Sequence, residues 1–143
     1  MREKLIIGRR EEASLPDFGL YHVDVKIDSG AYTSSIHVSH CKKIVRDGKP
    51  MLEVVFLDEK HSAFNGKKQL FEVFRMKTVK SSTGQEQLRY FIYSKIELMG
   101  KKIKTEFSLT ERRGMKYPIL IGRKLLNNRF IIDTSKVNSY LSK

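Results

Sequence analysis

At 143 residues, with 40% apolar and 31% charged residues, the chain has the length of one domain and the composition of a globular protein, not a disordered one. Its longest apolar runs, such as Leu5–Ile7 and Ile119–Ile121, are too short to cross a bilayer, and its single cysteine, Cys41, excludes an intrachain disulfide. Twenty-eight Lys and Arg against sixteen Asp and Glu leave a net charge of +12, which favours nucleic acid, anionic lipid or an acidic polypeptide as partner.

Met1-Arg2-Glu3-Lys4 precedes only three apolar residues, not the apolar stretch of a signal peptide, so a cytoplasmic protein without membrane contact is expected. Tyr21, Val23, Val25 and Ile27 alternate with His22, Asp24 and Lys26, which predicts a strand with one buried face. Residues 52–57 form a nearly continuous apolar run and predict an inner strand; residues 71–79, rich in Phe and Val, predict another. Leu88, Tyr90, Ile92, Ile96 and Leu98 alternate through a long strand broken at Ser94. After a turn at Met99-Gly100-Lys101-Lys102, Ile103, Thr105, Phe107 and Leu109 repeat the pattern. Short apolar stretches follow at 118–121 and Phe130–Ile132. Helical periodicity is confined to residues 124–128, with Asn127-Asn128 as the stop because Asn tolerates the left-handed conformation that ends helices. No repeat or linker divides residues 1–143, and many short strands with turns between them predict one all-β barrel or sandwich.

The chemistry concentrates at Ile27-Asp28-Ser29-Gly30-Ala31, placed where the best alternating strand must turn. Asp, Ser and Gly are good turn residues in their own right, so the tetrad alone is a weak signal. Pro118-Ile119-Leu120-Ile121-Gly122-Arg123-Lys124-Leu125-Leu126 lies some ninety residues downstream, and the pair of motifs resembles that of retropepsins. The resemblance implies a closed barrel with a flap hairpin and one short C-terminal helix, whose Gly-Arg motif packs behind the catalytic turn. It makes residues 79–87, polar and centred on Gly84, the flap candidate. It also implies a homodimer, since one chain holds one Asp-Ser-Gly-Ala and the chemistry needs two carboxylates. Asp28 is then catalytic and Ser29 braces the dyad across the two-fold axis, with Gly30, Ala31, Thr83 and Gly84 against the substrate. Retroviral enzymes pair the arginine of the Gly-Arg motif with an acidic residue after the tetrad. Tyr32 and Thr33 stand there in this chain, so Arg123 requires another partner.

The whole chain is similar to the RimB-type family, often labelled an ATP-dependent zinc protease. Ile7-Gly8-Arg9-Arg10-Glu11 with Leu15-Pro16, Lys26 to Ser34, and Arg112, Met115, Tyr117-Pro118 and Leu120 to Arg123 carry that similarity, with Phe130 and Asp133 after them. It implies trimming of glutamate tails from a small-subunit ribosomal protein, an acidic polypeptide that suits a +12 chain, with Arg112 contacting substrate carboxylates. No metal and no cofactor are expected. His-Glu-x-x-His is absent, His37-x-x-His40-Cys41 lacks a fourth ligand, and no Gly-rich Lys-Ser/Thr loop could hold ATP. Ser34, His37 and Asp24 form a hydrolytic triad only by assumption. The competing readings are a non-catalytic peptide-binding module on the same fold and a basic β-barrel for nucleic acid. Arg89-Tyr90-Phe91-Ile92-Tyr93 disfavours the latter, because alternation sends Tyr90 and Phe91 to opposite faces.

Overall fold

A computed structural model describes residues 3–80, 83–111 and 113–140. The strands are β1 (Leu5–Ile7), β2 (Arg10–Leu15), β3 (Leu20–Ile27), β4 (Ser34–Arg46), β5 (Lys49–Phe56), β6 (Gln69–Phe71), β7 (Arg75–Lys80), β8 (Glu86–Leu98), β9 (Lys101–Thr110), β10 (Ile119–Ile121) and β11 (Phe130–Ile132). One short helix, α1 (Arg123–Leu126), lies between β10 and β11, and a single 3-10 turn follows β2 at Pro16–Phe18.

Six strands close a barrel in the order β10-β3-β2-β8-β9-β4, with β10 pairing back onto β4. The inward positions are those of the sequence alternation: Val23, Val25 and Ile27 of β3, Ile92, Ile96 and Leu98 of β8, and Ile103, Phe107 and Leu109 of β9 are all buried. Ile36, Ile119, Ile121 and Leu125 complete that core. The far half of β4 leaves the barrel after a bulge between Val38 and His40 and forms an extension with β5 and β6. There Phe18, Phe56 and Phe71 cluster, the first two rings stacked with centroids 4.6 Å apart. All-β architecture, barrel closure and a single short helix all follow the sequence expectation. No helix of the described residues is long and apolar enough to cross a membrane.

Three local expectations change. Tyr21 is 54% exposed: His22 sits at φ 54°, the β2–β3 register shifts between Ala13 and Leu15, and Leu20 takes the inward place. Ser94 does not break its strand. It continues β8 facing inward, and its hydroxyl donates to the Lys95 carbonyl at 3.1 Å. Residues 71–79 are two strands on different partners, β6 on β5 and β7 on β8, because the chain crosses between sheet edges at an exposed bend carrying Val73. The helix stop is as expected, with Asn128 in the left-handed region at φ 68°.

Two buried carboxylates, Glu11 and Asp58, anchor loop segments to the barrel. Glu11, inward on β2, accepts from the Gly8 and Ser139 N–H groups and the Ser139 hydroxyl, clamping the last described residues to the start of the barrel. Gly8 is required there, since a Cβ would lie 2.4 Å from the Lys136 carbonyl oxygen. Asp58, just after β5, meets the buried His37 of β4 at 2.7 Å through His37 Nε2 and accepts the Lys60 N–H at 2.9 Å. Burial alone pushes the Asp58 carboxyl up. The Lys60 N–H, the His37 hydrogen bond and the nearby His37 and His61 rings outweigh it and hold the group below the usual carboxylate range.

A lowered folded-state value means that Asp58 contributes stability fully above the unfolded carboxylate range, about pH 4, and loses it as pH falls through the lower folded value. Asp58→Asn should therefore be markedly less stable than the parent at pH 7, with the gap nearly constant down to about pH 5 and narrowing below about pH 4. Urea denaturation midpoints across that range measure it, and a pH-independent gap would contradict the assignment.

Candidate active site

Asp28 ends β3, and the turn through Thr33 leads directly into β4. Between those two strands runs β10, parallel to β3 with Ile121 opposite Ile27, and antiparallel to β4 with Leu120 opposite Ser35. The Asp28 N–H donates to the Ile121 carbonyl at 2.8 Å, so the turn springs from the end of the threaded strand. Beyond Ile121 the chain stays against the turn. The Gly122 N–H donates to Ser34 Oγ at 3.0 Å, Arg123 N–H to the Ala31 carbonyl at 2.8 Å, and Lys124 N–H to the Tyr32 carbonyl at 2.8 Å.

The first N–H groups of a helix have no partner within it. Here α1 has no side-chain cap, and the turn's carbonyls take that role. Close approach is possible only at glycine: a Cβ on Gly122 would stand 2.6 Å from the Tyr32 oxygen and 3.0 Å from the Ala31 oxygen. The Arg123 guanidinium reaches over the turn, donating to the Ser29 carbonyl at 2.8 Å and lying 5.8 Å from the Tyr32 ring centroid. The arginine without an acidic partner thus binds the backbone of the turn itself.

Asp28 is half-buried, and its Oδ1 accepts the Gly30 N–H at 2.9 Å, which fixes the carboxylate over the turn. Gly30 has no positive φ, but a Cβ there would come 3.2 Å from Asp28 Oδ1. Ser29 and Gly30 are exposed, so the tip of the turn is presented outward.

A hairpin of β7 and β8 stands beside this turn, in a register running from Arg75 opposite Phe91 to Lys80 opposite Glu86. Of the expected flap segment, 79–87, residues 81 and 82 lie outside the described residues; Thr83 and Gly84, just before β8, are exposed, Gly84 at φ 83°. A cavity of about 460 Å³ separates hairpin from turn, with Ala31, Thr33 and Ser35 on one side, Arg75, Lys77, Val79, Arg89 and Phe91 on another, and Ser108, Thr110 and Glu111 beneath. The base of the hairpin is fastened. Arg75 makes a two-pronged pair with the buried Glu106 of β9, at 3.2 and 3.1 Å, and stacks 4.4 Å over Phe91. Lys124 of α1 reaches the same carboxylate at 3.3 Å. Burial pushes Glu106 up, but Arg75 and Lys124 more than reverse it and hold the carboxyl below its ordinary range.

The structure therefore brings Asp28, Ser29, Gly30 and Ala31 together with the Gly122-Arg123 motif on one face, and Ala31 on the wall of the cavity that the hairpin bounds. Arg112 lies outside the described residues. His37, His40 and Cys41 do not converge: His37 is tied to Asp58, His40 meets Glu53 at 2.9 Å, and burial pushes the Cys41 thiol up to about 11. Sequence reasoning missed the cavity's cations, Arg75, Lys77 and Arg89. Their alternation along β7 and β8 was visible, but the turn they approach lies more than forty residues away in the chain.

A family model described as RimB-like, retropepsin-like aspartic endopeptidase RimB, matches residues 6–141. Curated relatives include proteins named probable alpha-L-glutamate ligase from Shewanella pealeana, 34% identical over 93% of this chain and 29% of that protein, and from Desulfotalea psychrophila, 31% identical over 91% and 28%. The chain thus spans less than a third of the length of these relatives. Among solved structures, a Legionella pneumophila protein of unknown function shares the fold with a TM-score of 0.69, at 24% identity, over 96% of this chain and 99% of that one.

The close approach at Gly122 is the most exacting feature of the site. Gly122→Ala should push the turn away from α1 and cost about 1–3 kcal/mol, as overpacking typically does. Chemical denaturation measures the loss, and amide exchange should show faster opening at Ala31, Tyr32 and Arg123. Unchanged stability with unchanged exchange would mean that the turn does not depend on this contact.

Proposed function

The chain belongs to the RimB-like family of retropepsin-like aspartic endopeptidases, and from that premise we propose that it hydrolyses peptide bonds with a pair of Asp28 carboxylates supplied by two copies of the chain. The observation that carries the reading is the Asp28 turn: its carboxylate is held by the Gly30 N–H, its backbone is fastened to Gly122–Lys124, and its tip is exposed where a second copy can meet it. A two-fold axis through that tip sets the same turn of both subunits face to face. Two carboxylates about 3 Å apart cannot both ionise, so the pair holds one proton. The ionised member takes a proton from the attacking water, while the protonated member donates to the oxygen of the scissile carbonyl as charge develops there. On this reading Ser29, exposed beside Asp28, bonds across the axis and holds the two carboxylates level.

The substrate we propose is a glutamate-rich acidic polypeptide, such as the tail of a glutamylated ribosomal protein. Support comes from the net charge of +12, from the cations of the cavity beside the turn, and from relatives whose printed name concerns glutamate. Thr83, Gly84 and Arg112 belong to this reading as substrate contacts from the hairpin tip and from the segment before β10. A cytoplasmic site of action suits such a substrate.

One observation favours a second reading. The matched relatives carry a ligase name and are much longer than this chain, so the fold could serve there to hold a glutamate chain without cutting it. Cleavage separates the two. Incubation with a peptide bearing a glutamate tail should release glutamate or short oligoglutamate, followed by mass spectrometry. Asp28→Asn should abolish release, by 10³-fold or more, with an unchanged circular dichroism spectrum and unchanged association state. Activity per chain should also fall on dilution below the dimer dissociation constant. Full activity in Asp28→Asn, or constant specific activity from a demonstrated monomer, would remove the shared-dyad reading; binding without cleavage by the parent protein would establish the module.

A further inference from the structure

Resting on the reading of the Asp28 turn as a peptide-cleaving site, we infer that the cavity beside it is a specificity subsite for a substrate side-chain carboxylate, received by Lys77 and Arg89 above and by the Ser108 and Thr110 hydroxyls below. Lys77 and Arg89 are direct cross-strand partners in the β7–β8 register. Like charges directly opposite each other destabilise an antiparallel pair, so this arrangement is unfavourable without an anion. Among the described residues neither has a carboxylate within 4 Å. Arg75, the third cation of the wall, is already paired with Glu106. Among the described residues, Glu111 is the one carboxylate lining the cavity, and it is exposed and makes no ion pair with another described residue.

The floor points to the same ligand. Ser108 is only 5% exposed, yet its Oγ has no hydrogen-bond partner, and the buried Oγ1 of Thr110 has none either. Buried hydroxyls are nearly always bonded, and two orphans lining one cavity mark a place where an acceptor belongs. An ionised carboxylate offers acceptors only, at about four lone-pair positions, which matches two hydroxyl donors and two cations. A carboxamide of the same shape would turn N–H donors toward cations and donors alike. The subsite should thus separate glutamate from glutamine, not merely polar from apolar residues. Its walls include Ala31 and Thr33, three and five residues after Asp28, so a side chain seated there belongs to a residue near the scissile bond.

The test reads binding apart from catalysis. Isothermal titration of Asp28→Asn protein with tetraglutamate and with tetraglutamine should show a preference of about tenfold or more for the acid, the size expected of charge-assisted hydrogen bonds. On that background Arg89→Gln and Lys77→Gln should each abolish most of the preference. Lys102→Gln and Lys104→Gln, which remove the same charge elsewhere on β9, should leave it nearly intact. Ser108→Ala should weaken tetraglutamate binding several-fold while leaving the thermal midpoint unchanged or raised, since it deletes an unpaired buried hydroxyl. Equal effects of the Lys77/Arg89 and Lys102/Lys104 variants would reduce the preference to the general field of a +12 protein and overturn the subsite. So would equal affinity for the two peptides, or Ser108→Ala binding like its parent. The outcome is independent of cleavage: if the parent protein binds tetraglutamate in this pattern but releases nothing, the subsite stands and the peptidase reading falls.

Discussion

The distance between Gly122 and the carbonyls of Ala31 and Tyr32 governs the rest of the molecule. Because that position has no side chain, the three residues of β10 can run between β3 and β4 and leave by way of the turn that joins them. The same three residues close the barrel. Moving β10 outward by the width of a methyl group would loosen its bonds to both neighbours and withdraw the Ile121 carbonyl from Asp28. It would also uncover the first N–H groups of α1, which have no side-chain cap to fall back on. Barrel closure, helix start and carboxylate position are therefore one event, and the site cannot be well formed on a loosely formed barrel.

The charge of the chain reads differently once each cation is placed. Arg75 and Lys124 are committed to Glu106, Arg123 to the Ser29 carbonyl, Arg9 to the Thr134 carbonyl, and Arg129 to the Leu125 carbonyl. Arg10 donates to the Tyr117 hydroxyl at 2.9 Å and with that bond lowers the phenol from its ordinary value. These arginines satisfy backbone and side-chain acceptors at seams between segments, work suited to a planar fork of donors. Net charge thus overstates the cations at the disposal of a ligand. What matters at the site is that the cross-strand pair of Lys77 and Arg89 is not committed in this way.

What could be read from sequence was what is local in sequence. Asp28-Ser29-Gly30 announces a turn, Gly122-Arg123 announces a close approach followed by a helix, and the alternation announces the inward faces of β9 and of β8 from Ile92 onward; these stand in the structure, while Leu88, at the start of the β8 alternation, lies beyond the barrel and is exposed. Tyr21 leaves the inward face because β3 itself carries one extra residue between Leu20 and Val23, where His22 takes a positive φ, and the alternation of side chains does not announce that bulge. Ser94 looked like a break because a small polar residue interrupts an apolar face, yet its hydroxyl finds the adjacent carbonyl and the strand continues. The sequence places the expected substrate-binding cation near Gly122, at Arg112. The cavity draws its own from β7 and β8 and its hydroxyls from β9, elements that meet the turn only through strand pairing across the barrel. Hydroxyls become informative only when burial and missing partners are known, and neither is written in the sequence.

The hairpin has an uneven attachment that bears on how a substrate would be held. Its base is tied to the barrel through Arg75, Glu106 and Lys124, a contact joining β7, β9 and the helix behind the turn. Above Arg75, Lys77 and Val79 face the floor only across the open cavity. The other face of the same stretch carries Met76 and Leu88, both about half exposed. A chain of contacts therefore fixes where the hairpin starts, while its approach to the turn depends on what occupies the space between. A carboxylate bridging Lys77 and Arg89 to Ser108 and Thr110 would join hairpin to floor at the level of Asp28. On the proposed reading, the group that is recognised would also draw the hairpin toward Asp28. An uncharged side chain would fail on both counts at once, since it would leave the cations repelling each other and the hydroxyls without an acceptor.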